Sequence, residues 1–208
     1  MTPAPAPEAY TYEVWNNRKD ATMEVILASQ SPRRRELMGL LRIPFTVRVA
    51  DIDETMDFNR PVFDEVARIS RKKAEAVARK PEDVVIAADT VVVCQGQVLG
   101  KPKDEQDARR MLELLSGRAH QVITGLTVLK GNKCVVCTEV TDILFRDLSQ
   151  AEIQAYIDTK EPMDKAGAYG IQGGGAVFAQ RLVGDYFNVV GLPVCRLSQI
   201  LKQITEDA

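Results

Sequence analysis

Histidine is nearly missing from this chain, with His120 the only one. A metal centre built from imidazoles is thereby excluded. A lone histidine opening the apolar stretch HQVITGLTVL reads as a hydrogen-bonded structural residue. Cysteine is sparse as well: Cys94, Cys134, Cys137 and Cys195, of which only the pair in KCVVCTEV has a metal-like spacing. That segment reads as a strand, where residues three apart face opposite sides, so the two cannot easily share a metal. All four cysteines are expected to pack as small apolar residues. No apolar run approaches the about 20 residues of a membrane span, and no basic-then-apolar signal opens the chain. Charge of one sign is not in excess either. A formal net charge of -2 provides no broad basic face for nucleic acid or an anionic membrane, so any basic site must be local. A cytoplasmic protein with neither partner is the expectation.

What is present is ordinary globular material: 208 residues, 45% hydrophobic and 27% charged, enough for one substantial core or two lobes sharing a cleft. Residues 1–22 open with Pro and Ala and show no sustained period; they read as a flexible or loosely docked extension before a single domain over residues 23–208. That domain starts with EVILASQSPRRRELMGLL, residues 24–41. Val25, Ile26 and Leu27 form a buried strand, Ser31 an N-cap, and Pro32 the first helical position. Arg33, Arg34 and Arg35 then oppose the helix macrodipole unless an anion sits among them. With the Ser29 and Ser31 hydroxyls and free backbone N–H groups they compose a phosphate cradle, the alternative being a solvated basic turn.

The alternation of Phe45, Val47 and Val49 predicts a strand ending in Asp51, Asp53 and Glu54, carboxylates that are either solvated or turned toward a metal ion bridging phosphates. Residues 61–79 are helical, with Val62, Val66, Ile69, Ala76 and Val77 as the apolar stripe. Lys73 starts on that buried face, seven residues after Val66; it either snorkels to the edge or delivers an ammonium into a cleft. Asp89 and Thr90 interrupt the run VVIAADTVVV. A carboxylate there must emerge at a bulge or be partly desolvated, and it serves as a general base or as a structural cap. Lys101 stands at a loop mouth in GKP. Asp104 caps a helix that Gly117 stops, strands over 122–129 and 134–145 form a hairpin, and Ser149 with Glu152 makes a capping box. The glycine-rich EPMDKAGAYGIQGGG matches neither a dinucleotide fingerprint nor a P-loop; it is a flexible connection or a loop offering Gln172 to a planar ligand. A second hairpin is predicted around Gly184 and Asp185, then a closing amphipathic helix to about Ile204.

Taken in order, SQSPRRREL, AADTVVV, GKP, LSGRAHQVITG and EPMDKAGAYGIQG resemble the Maf family of nucleoside triphosphate pyrophosphatases, the last motif in the form of its dTTP/UTP pyrophosphatase subfamily. The resemblance covers nearly everything after Thr22. It implies an α/β fold like that of inosine triphosphatases, with a twisted mixed sheet flanked by helices, two lobes around a deep cleft, and a homodimer. It implies Asp89 as proton acceptor, Arg33, Thr90 and Gln172 as substrate-discriminating residues, and Ser29, Arg34, Glu54, Lys73 and Lys101 as phosphate, metal or catalytic groups. Mg²⁺ or Mn²⁺, held with help from Glu54 or Asp89, is the implied cofactor, and hydrolysis of dTTP and UTP to monophosphate and pyrophosphate the implied activity. Ser70 departs from the pattern, standing where alanine is usual. The competing expectations are a nucleotide-binding regulator of division or stress that does not turn its ligand over, and an enzyme that clears modified pyrimidine triphosphates.

Overall fold

The computed structural model describes residues 23–206, so the extension over 1–22 lies outside the described residues. A mixed seven-stranded sheet runs through the molecule: β1 (Val25–Leu27), β2 (Thr46–Val47), β3 (Val84–Cys94), β4 (Gln97–Leu99), β5 (Ala119–Lys130), β6 (Lys133–Phe145) and β7 (Ala179–Val183). Its order is β2-β1-β3-β5-β6-β7, with β4 also on β3; β1 runs parallel to β2 and β3, and every other pairing is antiparallel. Among the described residues six helices flank it: α1 (Pro32–Leu40), α2 (Val62–Val77), α3 (Glu105–Leu115), α4 (Gln150–Asp158), α5 (Tyr186–Val190) and α6 (Val194–Glu206).

β3 organises the whole. One edge pairs continuously with β5 from Val84 to Val93, so no bulge marks Asp89. The other edge is divided: residues 84–86 pair with β1 and residues 92–94 with β4, leaving 87–91 without a strand beside them. Side chains alternate across the sheet. On one face Ile86 and Ala88 join a core with Met38, Leu197 and Leu201 from α1 and α6, whereas Val92 and Cys94 join a different one with Leu112, Ile157 and Phe145. On the other face Val85, Ala87 and Val91 lie under α2. The two lobes therefore share one strand, and their cores change over at Asp89 and Thr90.

Helix α2 buries Glu65, Val66, Ile69, Ser70, Lys73, Ala74 and Val77. Ala76, expected on that stripe, is exposed, because Ala74 is the residue one turn beyond Ser70. Ser70, the departure from the family pattern, is fully buried with a partner: its hydroxyl meets Thr127 Oγ1 at 2.8 Å and donates to the Ala67 carbonyl. Close approach of α2 depends on Gly125, which sits opposite Asp89 in the β3–β5 register; a β-carbon there would stand 2.3 Å from the Val66 carbonyl oxygen.

Three expectations are corrected. The strand expected over Phe45 to Val49 shrinks to Thr46–Val47, since only Ile26 and Leu27 offer it partners. The second hairpin is absent: β7 pairs with β6, and Asp185 Oδ1 accepts from Phe187 N at 2.8 Å to cap α5 instead of starting a strand. Cys94 is buried and Cys137 half-buried, but Cys134 and Cys195 are exposed, so burial describes only part of the cysteine set. Among the described residues no cluster of three His, Cys, Asp or Glu side chains forms a metal cage, and no helix is long and apolar enough to cross a membrane.

His120 is structural. Its Nε2 meets the Tyr169 hydroxyl at 2.9 Å and its ring packs edge-on against Phe145. Burial lowers its pKa from 6.5 to about 4. Because the folded value lies below the unfolded one, stability is full above pH 6.5 and is lost as pH falls toward 4, by up to about 3 kcal/mol. Denaturant titrations across that range should show the loss, and His120→Gln should flatten it. Gly125→Ala should cost about 1–3 kcal/mol by overpacking α2, read as a Tm lowered by about 2–4 °C per kcal/mol.

Candidate functional site

The uncovered edge of β3 opens into a cleft of about 690 Å³. Ser29, Arg33, Arg34, Glu54, Lys73, Asp89, Thr90, Lys101 and Gln172 all line it, so the nine residues that the family resemblance implied reach one hollow, whereas Arg35, Asp51, Asp53 and His120 do not. A second hollow, of about 720 Å³, lies past the end of α2 among Arg79, Lys80 and Asp83. None of the nine residues reaches it, and volume alone does not identify a site.

The floor of the cleft is an ion triad. Lys73 Nζ donates to Glu54 Oε2 at 2.7 Å and to Asp89 Oδ1 at 2.8 Å, with the lysine only 7% exposed. The snorkelling alternative is thus set aside, because the stem leaves the apolar stripe of α2 and crosses to β3 instead of to solvent. Glu54 comes from an irregular segment whose position is fixed from α2. Buried Glu65 accepts from Asp57 N at 2.8 Å and Arg68 Nε at 2.8 Å, while Arg68 donates to the Thr55 carbonyl at 2.9 Å. The Arg68 hydrogen bonds and ion pair hold the Glu65 carboxyl down to about 2. Asp51 and Asp53 are exposed, as the solvated alternative had it, and Glu54 is exposed too although it reaches Lys73; Asp53 accepts from Thr55 N.

Successive residues of β3 address opposite faces, so Thr90 turns from the triad toward α1. Its hydroxyl accepts from Arg34 Nη2 at 3.0 Å and meets Thr124 Oγ1 at 2.9 Å. Arg34 also donates to the Gly191 carbonyl at 2.8 Å and to Ser29 Oγ at 3.4 Å. These acceptors are neutral. Burial lowers the Arg34 pKa, with the charges of Asp89 and Glu54 opposing that shift, yet a guanidinium stays protonated. A fixed cation to which, among the described residues, no carboxylate is bonded therefore faces the cleft. The three arginines of α1 divide: Arg35 is exposed, and Arg33 pairs with Asp164 at 3.0 Å, so part of the anion expected at this helix start is a protein carboxylate. Ser31 caps the helix through Arg34 N, with Pro32 in its first turn.

Lys101 is exposed on the loop after β4 and, among the described residues, has no ion pair. That loop is tied to the glycine-rich stretch by Gly167 N donating to the Gly100 carbonyl at 3.0 Å. The stretch itself is ordered through short 3-10 turns at Glu161–Asp164, Ala166–Ala168 and Gly174–Phe178, and it carries exposed Gln172 to the rim. Asp164 and Gly191 line this cleft, and buried Thr124 supports Thr90 behind it, although no sequence signal distinguished these residues individually. Asp164 lay inside a recognised motif, but its partner is 131 residues away.

Cation–carboxylate contacts at the floor, with Arg34 and Lys101 on the walls bonded to no carboxylate among the described residues, suit a polyanion. Glu54 and Asp89 each give one oxygen to Lys73, and neither second oxygen takes a hydrogen bond among the described residues. Two hard oxygen donors of this kind fit a divalent ion such as Mg²⁺ or Mn²⁺, which takes one or two carboxylates and completes its shell with phosphate and water.

Residues 24–204 match the family described as Maf-like protein. A Bacillus cytotoxicus protein named dTTP/UTP pyrophosphatase is 48% identical over 184 residues, covering 88% of this chain and 96% of that one. A protein of the same name from Bacillus cereus is 46% identical over 185 residues, covering 88% and 97%. Among solved structures, a HAM1 protein from Coxiella burnetii superposes with a TM-score of 0.51 at 18% identity over 87% of this chain and 99% of that one, a likeness of fold. By the span of the profile match and the identity of these relatives, the chain belongs to the Maf-like protein family.

Proposed function

We propose that the protein is a nucleoside triphosphate pyrophosphatase acting on dTTP and UTP, releasing the monophosphate and pyrophosphate. The observation that carries this is the Lys73 ammonium shared by Asp89 and Glu54 on a floor faced by Arg34 and Lys101. The names of the relatives support the choice of substrate. Water attacks the α-phosphorus, its proton passes to Asp89, and the bond from that phosphorus to the β-phosphate oxygen breaks. Charge then builds on the departing pyrophosphate, where fixed cations matter most. Arg34, already oriented by Gly191, Thr90 and Ser29, meets it without reorganisation, and Lys101 and Lys73 neutralise the rest. Lys73 also holds the Asp89 carboxylate in place.

Glu54 and Asp89 would hold a divalent cation, which when bound polarises phosphate oxygens. Gln172 offers both a donor and an acceptor to a pyrimidine edge. Arg33 lines the same cleft while paired with Asp164, and Thr90 contributes to selection through Arg34, the group its hydroxyl bonds. A cytoplasmic homodimer belongs to the same proposal, supported by resemblance to the family; light scattering checks the oligomeric state.

Pyrophosphate release from a panel of natural and modified triphosphates, with Mg²⁺, Mn²⁺ or Co²⁺ added, tests the activity; the absence of release from every member would refute it. Modified pyrimidines turned over in preference to dTTP and UTP would favour the clearing role. Asp89→Asn should lower kcat by about 10²- to 10⁴-fold with nucleotide binding retained, the loss expected for a general base. A variant whose biological effect survives that change would support the regulator instead. Lys101→Ala, at an exposed unpaired position, should leave Tm nearly unchanged and lower kcat/KM about tenfold or more.

A further inference from the structure

Gln172 does not ride on a loose loop. Gly173 N donates to the Gly170 carbonyl at 3.2 Å, closing a four-residue turn with Ile171 and Gln172 at its centre. Both ends of that turn are held by one pair of side chains. The Tyr156 hydroxyl, on α4, accepts from Gly170 N at 3.0 Å and donates to Glu161 Oε1 at 2.9 Å. The other carboxylate oxygen, Glu161 Oε2, accepts from Gly174 N at 2.9 Å. A β-carbon on Gly173 would stand 2.2 Å from Glu161 Oε1, so the turn wraps the carboxylate as closely as bare backbone permits. Ile171 packs against both large cores and anchors the turn from within.

The clamp is itself rigid. Tyr156 is 5% exposed and sits edge-on to Phe178 at 5.0 Å, and burial raises the phenol pKa above its usual value, keeping it a donor. Glu161 is fixed along its backbone too, its carbonyl accepting from Lys165 Nζ at 2.6 Å. Lys165 also pairs with Asp164, the partner of Arg33. Neither Tyr156 nor Glu161 lines the cleft. Their side chains reach whatever binds there through the turn, while the Glu161 main-chain carbonyl separately holds Lys165, which lines the cleft.

We infer that Tyr156 and Glu161 are positioning residues for base selection: the phenol–carboxylate pair holds the turn over residues 170–173 in the setting from which Gln172 meets a pyrimidine. The inference rests on the proposed function for its ligand. An amide discriminates by hydrogen bonding only if it is held where those bonds must form; a mobile one loses the advantage to ordering entropy. Glu161→Gln keeps the shape but replaces one acceptor oxygen with an amino group, although both partners of the carboxylate are donors. Tyr156→Phe deletes the hydroxyl and leaves Gly170 N unpaired.

The test is calorimetric binding of the non-hydrolysable α,β-methylene analogues of UTP and GTP, with inorganic tripolyphosphate as a base-free control. The proteins compared are wild type, Tyr156→Phe, Glu161→Gln, Gln172→Ala and the Glu161→Gln/Gln172→Ala double variant. The preference for the UTP analogue should fall about tenfold in each single variant, with no further fall in the double, because both changes act through one amide. Tripolyphosphate affinity should not change. Preference retained in both clamp variants, additive losses in the double, equal weakening of all three ligands, or a wild type without pyrimidine preference would each overturn the inference. Because the readout is binding, a wild type that prefers the UTP analogue yet hydrolyses no triphosphate refutes the catalytic proposal and leaves the clamp standing.

Discussion

Lys73 brings one positive charge to the point where two negative ones converge, and the geometry of the cleft follows from that contact. An ammonium on the buried stripe of a helix carries a desolvation cost of several kcal/mol unless it is paired, and a carboxylate in the middle of a strand carries a similar one. Each is tolerable because of the other. Lys73 Nζ reaches Asp89 Oδ1 at 2.8 Å only because α2 lies tight on the sheet, and it lies tight because Gly125 has no side chain opposite Asp89. Glu54 completes the triad from a segment that Glu65 and Arg68 tie to the same helix. One helix thus places both carboxylates' counter-charge and the loop that supplies one of them.

The cleft is a consequence of topology before it is a consequence of chemistry. Strand β3 is long enough to belong to two lobes, and on one edge its partner changes from parallel β1 to antiparallel β4. Between the two, residues 87–91 keep an open edge while β5 keeps them straight on the other side. Crevices of this kind, where neighbouring strands diverge, are where α/β sheets commonly bind ligands. The alternation of β3 then sends Asp89 to one wall and Thr90 to the other. The Asp89 carboxylate and the support for Arg34 are thereby set on opposite sides of one peptide unit.

Much of this was legible in the sequence. The N-cap at Ser31, the capping box of Ser149 and Glu152, and the β5–β6 hairpin depend on residues a few positions apart, and the structure has them all. Lys73 and Asp89 stood out because each contradicts the apolar pattern around it, and both line the cleft. Failures came where a short signal was overridden by what lay beside it. Asp185 and Gly184 look like a hairpin turn, but β6 had already taken β7 as its partner, leaving the following residues free to form α5. The Phe45 to Val49 alternation was genuine in pattern, yet β1 offers only two residues to pair with it.

The sequence by itself determined the caps, the periodicities, and the list of ionisable residues that no apolar core would keep without a partner, since these are properties of residues close together along the chain. It could not say who the partners would be. Lys73 and Glu54 are separated by 19 residues, Arg33 and Asp164 by 131, and Arg34 and the Gly191 carbonyl by 157. Closure over such distances costs chain entropy that varies only slowly with length, so local sequence hardly distinguishes one long-range pairing from another. Tertiary structure made the choice by packing α2 against β3 and β5, and by folding the glycine-rich stretch around Glu161.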